Sequence, residues 1–196
     1  AVGNSKGAVA IQTYPVAART VVTITASCGG ASKVFTLTVN PAAFGYFNDT
    51  SGTRTGGQTA SVAFTLTGVA VNDANVAFTS SNQAAASVPA SLTVRAGTST
   101  GVVVIQTVPV AVQTVVTIAG SYGGASRVFT LTVNPTALGY FNDAAGTRTG
   151  GQTASVVFTL TGVAVNDVNV VLTSSNPAGA SGPASLTQRA GTATGM

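Results

Sequence analysis

The chain has 196 residues, of which 45% are hydrophobic and only 6% are charged, with eight basic residues, four acidic residues and no His. An ordinary domain carries roughly 25% charged residues, so Thr, Ser, Ala, Val and Gly take the places that Lys and Glu usually occupy. The basic residues are scattered, which argues against a nucleic-acid-binding protein, because such proteins cluster Lys and Arg. The many β-branched residues argue against disorder, and no apolar stretch approaches the ~18 residues of a membrane-spanning helix.

The sequence repeats itself with a period of 94 residues. Residues 44–102 match residues 138–196 at 46 of 59 aligned positions, and residues 1–41 match residues 95–135 at 28 of 41 positions. Self-similarity at a fixed period indicates tandem copies of one folding unit. The predicted segments are the C-terminal part of a module (1–41), a complete module (42–135) and the N-terminal part of the next module (136–196).

Within each module the apolar residues alternate with polar ones, as in half-buried β-strands. From the start of the chain, Gly29-Gly30 predicts a tight hairpin turn, and Gly123-Gly124 predicts the same turn one period later. Alternating apolar residues of predicted strands are Val62, Phe64 and Leu66, then Val103 and Ile105, Val116 and Ile118, and Phe129, Leu131 and Val133. About seven short strands fit into each 94-residue module, without a helical period. The sequence therefore predicts an all-β protein of tandem immunoglobulin-like β-sandwiches.

The dipeptides Asn40-Pro41 and Asn134-Pro135 are predicted to mark the junctions between modules, because Pro fixes φ and ends a strand ladder. Four aromatic residues follow these dipeptides, and they are either the first core-facing residues of their modules or a patch at the junction. These residues are Tyr46, Phe47, Tyr140 and Phe141. Since almost no linker separates the modules, the array is expected to be stiff.

The chain has few residues that could catalyse a reaction. It contains no His and no Glu, so its many Ser and Thr hydroxyls have no His base. Lys33 is replaced by Arg127 in the next module, which argues against a Ser/Lys pair. Cys28 is the only cysteine, and Tyr122 takes its place one period later, so no intrachain disulfide can form. We predict that the protein is not an enzyme and needs no cofactor.

Four Asp residues lie beside Asn in predicted loops and are candidate Ca²⁺ ligands: Asp49, Asp73, Asp143 and Asp167. Calcium takes six to eight oxygen ligands and usually several carboxylates, and two Asp per module are few. We favour the interpretation that these residues cap turns by hydrogen bonds to the backbone. Asn48 begins the glycosylation sequon Asn48-Asp49-Thr50, whereas Asn142 does not begin one.

Several strings resemble a known family. They are Thr79-Ser-Ser-Asn, Val88-Pro-Ala-Ser-Leu-Thr-Val, Arg95-Ala-Gly-Thr, Val116-Thr-Ile and Gly123-Gly-Ala-Ser-Arg-Val-Phe-Thr-Leu-Thr-Val. The chain is similar to the tandem immunoglobulin-like repeats of large bacterial extracellular and cell-surface proteins, over most of each module. The resemblance implies stalks, spacers, fibres and sometimes adhesive tips, and it implies no catalytic residues. The front of the module, with Tyr46-Phe-Asn-Asp and the loop around Arg54, departs from the family pattern.

We expect a structural repeat segment of an extracellular or cell-surface fibre, stalk or filament, whose partners are identical modules or chains, head to tail. The first and last segments are each expected to expose an apolar face and open strand edges. Either the chain is part of a longer array, or separate chains complete one another by strand addition. The alternative function is a multivalent adhesin module that binds a host, cell-surface or carbohydrate ligand. A carbohydrate-binding accessory domain is less consistent with a chain that has no Trp.

Overall fold

A computed structural model describes residues 6–195, and every regular element in this range is a β-strand. Residues 1–5 and Met196, which include the chain ends discussed above, lie outside the described residues. Across residues 6–195 no helix has the length and hydropathy to cross a membrane. Each sheet lies within one of the three segments predicted from the repeat.

The first segment forms one antiparallel hairpin, here called the head hairpin. Its strands are β1 (Thr20–Cys28) and β2 (Ala31–Val39), and they pair from Thr20 opposite Val39 to Cys28 opposite Ala31. The turn residues Gly29 and Gly30 have φ values of 58° and 79°. Both values lie in the left-handed region, as a two-residue hairpin turn with two positive φ angles requires. The predicted hairpin is therefore present.

Residues 42–135, the central module, contain nine strands in two sheets. The strands are β3 (Phe44–Phe47), β4 (Ser51–Thr55), β5 (Thr59–Leu66), β6 (Ala74–Ser80), β7 (Ala86–Ser87), β8 (Ser91–Val94), β9 (Thr100–Thr107), β10 (Thr114–Tyr122) and β11 (Ala125–Asn134). One sheet has the order β3-β5-β9-β7, and the other has the order β4-β11-β10-β6-β8. A single core of buried side chains from both sheets lies between them. The predicted β-sandwich is confirmed.

The strand count exceeds the predicted seven because β4 and β8 extend the two edges of the five-stranded sheet. The first strand of the module ends at Phe47, and the chain then crosses to the other sheet, where β4 pairs in parallel with β11. The alternation of apolar and polar residues does not reveal such a crossing, because residues 51–55 contain no hydrophobic side chain.

Five phenylalanines from both sheets form the centre of the core, and each is at most 5% exposed. They are Phe44, Phe47, Phe64, Phe78 and Phe129. The ring centroids of Phe44 and Phe47 are 5.1 Å apart, and those of Phe64 and Phe78, which belong to opposite sheets, are 5.2 Å apart. Aromatic pairs in this range stabilise a core by about 0.5–1.5 kcal/mol beyond their area burial.

Residues 136–195, here called the tail segment, follow the central module directly. Their strands are β12 (Leu138–Phe141), β13 (Phe158–Leu160), β14 (Val168–Val171), β15 (Ser185–Gln188) and β16 (Thr194–Gly195). They form a three-stranded sheet, β12-β13-β16, and a two-stranded sheet, β14-β15. A small core, to which Phe158, Leu160 and Val170 belong, lies in this segment. The tail segment thus has the front strands of the sandwich in shortened form.

Candidate functional site

The two junctions between segments are formed by equivalent parts of the repeat. At the first junction, a groove of about 260 Å³ is lined by Thr13, Tyr14, Pro15, Val16, Val39, Asn40, Pro41, Ala42, Thr67, Gly68 and Val69. At the second, a groove of about 100 Å³ is lined by Val110, Ala111, Pro135, Thr136, Ala164, Val165, Asn166 and Val168. The first groove lies between the segment before the head hairpin, the residues around Asn40-Pro41 and the loop after β5. The second lies between the segment before β10, the residues after Asn134 and the loop after β13. Asn40 and Pro41 line the first groove, and Pro135 lines the second. That the two dipeptides mark module boundaries stays a prediction.

The second junction leaves little room for a side chain at Gly162. A Cβ at this position would lie 2.9 Å from Thr55 Cγ2 and 3.2 Å from the carbonyl oxygen of Gly56, both in the central module. The backbone N–H of Gly56 also donates a hydrogen bond of 3.0 Å to the carbonyl oxygen of Asn134. The loop between β4 and β5 therefore contacts both the end of β11 and the tail segment.

We expect Gly162→Val to loosen the second junction, because the new methyl groups would meet Thr55 and Gly56. Crowding of this kind typically costs about 1–3 kcal/mol. Small-angle X-ray scattering should show a broader distance distribution, while urea unfolding of the central module stays unchanged. Gly68→Val is the matched control, since Gly68 occupies the same place one period earlier and has open space around it. Equal broadening in both variants would contradict a junction closed at Gly162.

The four aromatic residues predicted for the core or the junction lie in different environments. Phe47 is 5% exposed and packs in the core of the central module, whereas its equivalent Phe141 is 43% exposed. Tyr46 and Tyr140 are both exposed. None of the four lines either junction groove. The difference between Phe47 and Phe141 shows that a core position of the complete module becomes a surface position in the tail segment.

Two of the four Asp residues accept hydrogen bonds from the backbone of a neighbouring loop. The carboxylate Oδ1 of Asp73 accepts a 2.9 Å hydrogen bond from the Ala96 N–H, and Oδ1 of Asp167 accepts an equal bond from the Ala190 N–H. Asp49 and Asp143 are exposed. Within residues 6–195 no three His, Cys, Asp or Glu side chains lie close enough together to hold a metal ion.

We expect Asp73→Ala to lower the free energy of unfolding by about 0.5–1.5 kcal/mol, the usual net value of one hydrogen bond. Asp73→Asn should cost less, because its amide oxygen can still accept the Ala96 N–H. Urea titration of both variants, with and without millimolar Ca²⁺, distinguishes the two interpretations of this residue. A calcium site would stabilise the unaltered chain on addition of the ion, and the Asn variant would lose that effect.

The side chain of Asn48 contacts the adjacent strand. Its Oδ1 accepts a 3.1 Å hydrogen bond from the Thr65 hydroxyl, and Asn142 accepts a 3.0 Å bond from Thr159 in the same way. The contact thus recurs in both modules, although only Asn48 begins a sequon. Glycosylation of Asn48 stays a sequence-based prediction.

The tail segment exposes a face that is buried in the central module. Leu138 is 49% exposed, whereas its equivalent Phe44 is fully buried, and Val156 is 45% exposed against 3% for Val62. Phe141, Val156, Leu172 and Leu186 are among the residues that line a groove of about 560 Å³ on this face. We call this surface the open face of the tail segment.

The head hairpin also exposes side chains whose equivalents are buried in the central module. Phe35 is 54% exposed, whereas its equivalent Phe129 in β11 is 3% exposed, and Val22 is 39% exposed against 0% for Val116. In the central module Phe129 and Val116 belong to the shared core. The hairpin therefore exposes residues that another part of a module normally covers.

Two strings that differ only at their first residue adopt different conformations in this chain. Residues 51–55 form β4 and pair in parallel with residues 130–134 of β11. Their equivalents, residues 145–149, form no strand. The following turn is nevertheless the same, because the Gln58 and Gln152 side chains each accept a 3.2 Å hydrogen bond from the backbone N–H of the third preceding residue. The turn forms locally, whereas the strand requires the partner that β11 supplies.

Comparisons with known proteins found matches among solved structures. No protein-family model matches the chain, and no curated protein matches it. Among solved structures it is similar to domains 4 and 5 of the S-layer protein SbsC, with 20% identity and a TM-score of 0.37 over 53% of this chain and 63% of that one.

Two longer pieces of the same surface-layer protein are also similar. Domains 1–6 share 16% identity with a TM-score of 0.38 over 78% of this chain and 22% of that chain. Domains 4–9 share 16% identity with a TM-score of 0.38 over 80% and 27%, respectively. The chain thus spans less than two thirds of each of these structures, and its β-sandwich architecture is established by its own sheets.

The sequence predicted that the first and last segments would each expose an apolar face, but it did not predict which residue differences between the copies shape those faces. Their signal is present in the repeat alignment, at positions where one copy differs from the other in side-chain size. Leu138 replaces Phe44, Leu172 replaces Phe78, and Ala26 replaces Gly120. These differences become informative only when the contacts among the three positions are known.

Proposed function

We propose that the chain is a structural repeat segment of an extracellular or cell-surface fibre, stalk or filament, assembled end to end from immunoglobulin-like modules. The observation that carries this proposal is that both junctions use equivalent parts of a repeated module with no intervening linker. A module that presents the same two ends in every copy can be added without limit, which gives length to an assembly.

The strand order supports the immunoglobulin-like description. Immunoglobulin sandwiches place strands A, B, E and D in one sheet and strands C, F and G in the other. The sheet β3-β5-β9-β7 and the run β6-β10-β11 have this order when the seven strands are lettered along the chain. The strands β4 and β8 are then additions at the edges.

The surface of the central module is consistent with a spacer. Its outward strand positions carry mainly Thr, Ser and short apolar residues, and the charged residues are few. Within the described residues no metal cluster offers a reactive centre, and the chain lacks His and Glu. A role that depends on shape and repetition fits this chemistry better than catalysis does.

Immunogold electron microscopy of intact cells of the source organism tests the proposal. Antibodies raised against the 196-residue chain should label filaments or surface layers at regular intervals. Pre-immune serum provides the control for nonspecific labelling. Label confined to the cell interior, or to discrete particles without filaments or layers, would contradict the proposal. Label concentrated only at filament tips would favour the adhesin alternative.

A further inference from the structure

Five core-facing residues of the head hairpin are identical to the five that β10 and β11 contribute to the central core. In the central module these residues are at most 3% exposed. They are Val116, Ile118, Phe129, Leu131 and Val133, and their counterparts are Val22, Ile24, Phe35, Leu37 and Val39. The hairpin therefore has the side chains that fill the second half of a sandwich.

A third strand is available in the residues before the hairpin. Val9 and Ile11 correspond to Val103 and Ile105 of β9, both of which are fully buried. Residues 9–13 form no strand in this structure, and Val9 is 82% exposed. In the central module Ile105 lies opposite Ala60, and Val103 lies opposite Val62. The equivalents of these partners, Ala154 and Val156, lie on the open face of the tail segment.

Side-chain sizes match the head hairpin to the tail segment. In the central module a Cβ at Gly120 would lie 2.5 Å from Phe44 Cε2 and 3.0 Å from Phe78 Cε1, so the two rings exclude any side chain there. The head hairpin has Ala26 at this position, and its methyl group would meet both rings if the hairpin entered a module of the central type.

The tail segment has smaller residues at the two ring positions. Leu138 stands in place of Phe44, and Leu172 stands in place of Phe78. A leucine lacks the distal ring atoms that would meet the methyl group of Ala26. The head hairpin thus has a larger residue at the position of Gly120, and the tail segment has smaller residues at the positions of Phe44 and Phe78, which contact it in the central module.

We propose that residues 9–39 of one copy of this chain complete the sandwich of residues 136–195 of a second copy. This inference rests on the proposed function, in which identical copies are the partners. In the register of the central module, β1 of one copy would pair with the residues that follow β14 in the other copy, with Ala26 opposite Leu172. β2 would pair in parallel with residues 145–149, with Leu37 opposite Gly146.

Pairing with the head hairpin of a second copy would give strand structure to two parts of the tail segment that lack it. β6 extends to Ser80, where β10 pairs with it, but β14 ends at Val171, three residues short of the equivalent position. Residues 145–149 are also without a partner strand. Because the contact joins two different surfaces, each added copy offers a new open face, and addition continues unless the rotation between copies closes a ring.

The first test compares two substitutions on opposite faces of β2 in the full 196-residue chain. Phe35→Asp places a charge on the core-facing side, and Val34→Asp places one on the outer side, where the equivalent Val128 is 57% exposed. Sedimentation velocity over a wide concentration range should show concentration-dependent association of the unaltered chain. Phe35→Asp should weaken association at least about tenfold, whereas Val34→Asp should change it by less than about threefold. Circular dichroism of both variants should show an intact central module.

The second test uses the size match. Leu138→Phe combined with Leu172→Phe should weaken association about tenfold, because the rings again exclude Ala26. Adding Ala26→Gly should restore it. The thiol of Cys28 gives an independent signal, since its counterpart Tyr122 is half-buried against the core. Its reaction with a thiol reagent should slow as chain concentration rises.

Each outcome supports or overturns the inference. Absence of association in the unaltered chain, equal weakening by Phe35→Asp and Val34→Asp, or failure of Ala26→Gly to restore association would overturn it. Cell-surface filaments that persist with Phe35→Asp would overturn the inference but leave the proposed function standing. Specific pairing in solution, together with immunogold label confined to the cell interior, would overturn the proposed function but leave the pairing standing.

Discussion

Replacing Phe44 with Ala is expected to lower the free energy of unfolding of the central module by about 3–5 kcal/mol, the usual cost of truncating a core phenylalanine. Phe44 is fully buried, and its ring centroid lies 5.1 Å from that of Phe47 and 5.5 Å from that of Phe64. Its removal leaves a cavity between the two sheets. Urea unfolding followed by far-ultraviolet circular dichroism measures the change.

The repeat provides the matched control for this substitution. Leu138 occupies the equivalent position in the tail segment and is 49% exposed, so Leu138→Ala should change the unfolding of the central module by no more than about 0.5 kcal/mol. The comparison is made at concentrations where the chain is monomeric. Similar losses in the two variants would show that the tail segment and the central module unfold as one unit.

Gly120→Ala is expected to destabilise the central module by about 1–3 kcal/mol, because the new methyl group would lie 2.5 Å from Phe44 Cε2. The same substitution should cost less in a chain that already carries Phe44→Leu and Phe78→Leu. Urea titration of the four chains forms a thermodynamic cycle, and its coupling energy should be at least about 0.5 kcal/mol.

A glycine in open space controls for the general effect of adding a methyl group. A Cβ at Gly146 would meet no atom within 4 Å outside the adjacent residues, and Gly146 has no positive φ. Gly146→Ala should therefore leave the free energy of unfolding within about 0.5 kcal/mol of that of the unaltered chain. A Gly120→Ala variant as stable as this control would contradict the close contact with the Phe rings. It would also remove the steric basis for matching Ala26 to the tail segment.

The periodicity of the sequence was sufficient to predict the β-sandwich and its main strands. Alternation at Val62, Phe64 and Leu66 predicted a strand with one buried face, and all three side chains are buried. Gly123 and Gly124 predicted the turn between β10 and β11, and their φ values of 59° and 77° agree with it. These features depend on local chemistry, which a single sequence displays directly.

The sequence could not predict which side of the sheet each aromatic residue at the front of the module would occupy. Strict alternation would place Phe44 and Tyr46 on one face and Phe47 on the other. The pairing of β3 with β5 instead shifts register between Phe44 and Tyr46, and a Cβ at Gly45 would lie 2.6 Å from the Thr65 carbonyl oxygen. This bulge turns Phe47 into the core and leaves Tyr46 exposed. Its cause is a contact with another strand, which the local pattern does not contain.

The sequence also could not show which replacements between repeats matter. Ala26 in place of Gly120 is a conservative change, and so is Leu138 in place of Phe44. Their significance depends on how close positions 44 and 120 lie in the folded sandwich. These two positions are separated by more than 70 residues along the chain. Long-range contacts of this kind follow from topology and become visible only in three dimensions.

The parallel pairing of β4 with β11 has a mechanical consequence for an array under tension. Force applied from the N-terminal side acts first on β3 and then on Ser51, where β4 begins. Force applied from the C-terminal side acts on Asn134, where β11 ends. Because the two strands run in the same direction, with Ser51 opposite Thr130 and Thr55 opposite Asn134, these forces slide one strand along the other. Five paired positions are loaded together in shear, whereas an antiparallel hairpin pulled from its open end would unzip one pair at a time. The short strand β4 would therefore act as the clamp that resists extension of each module.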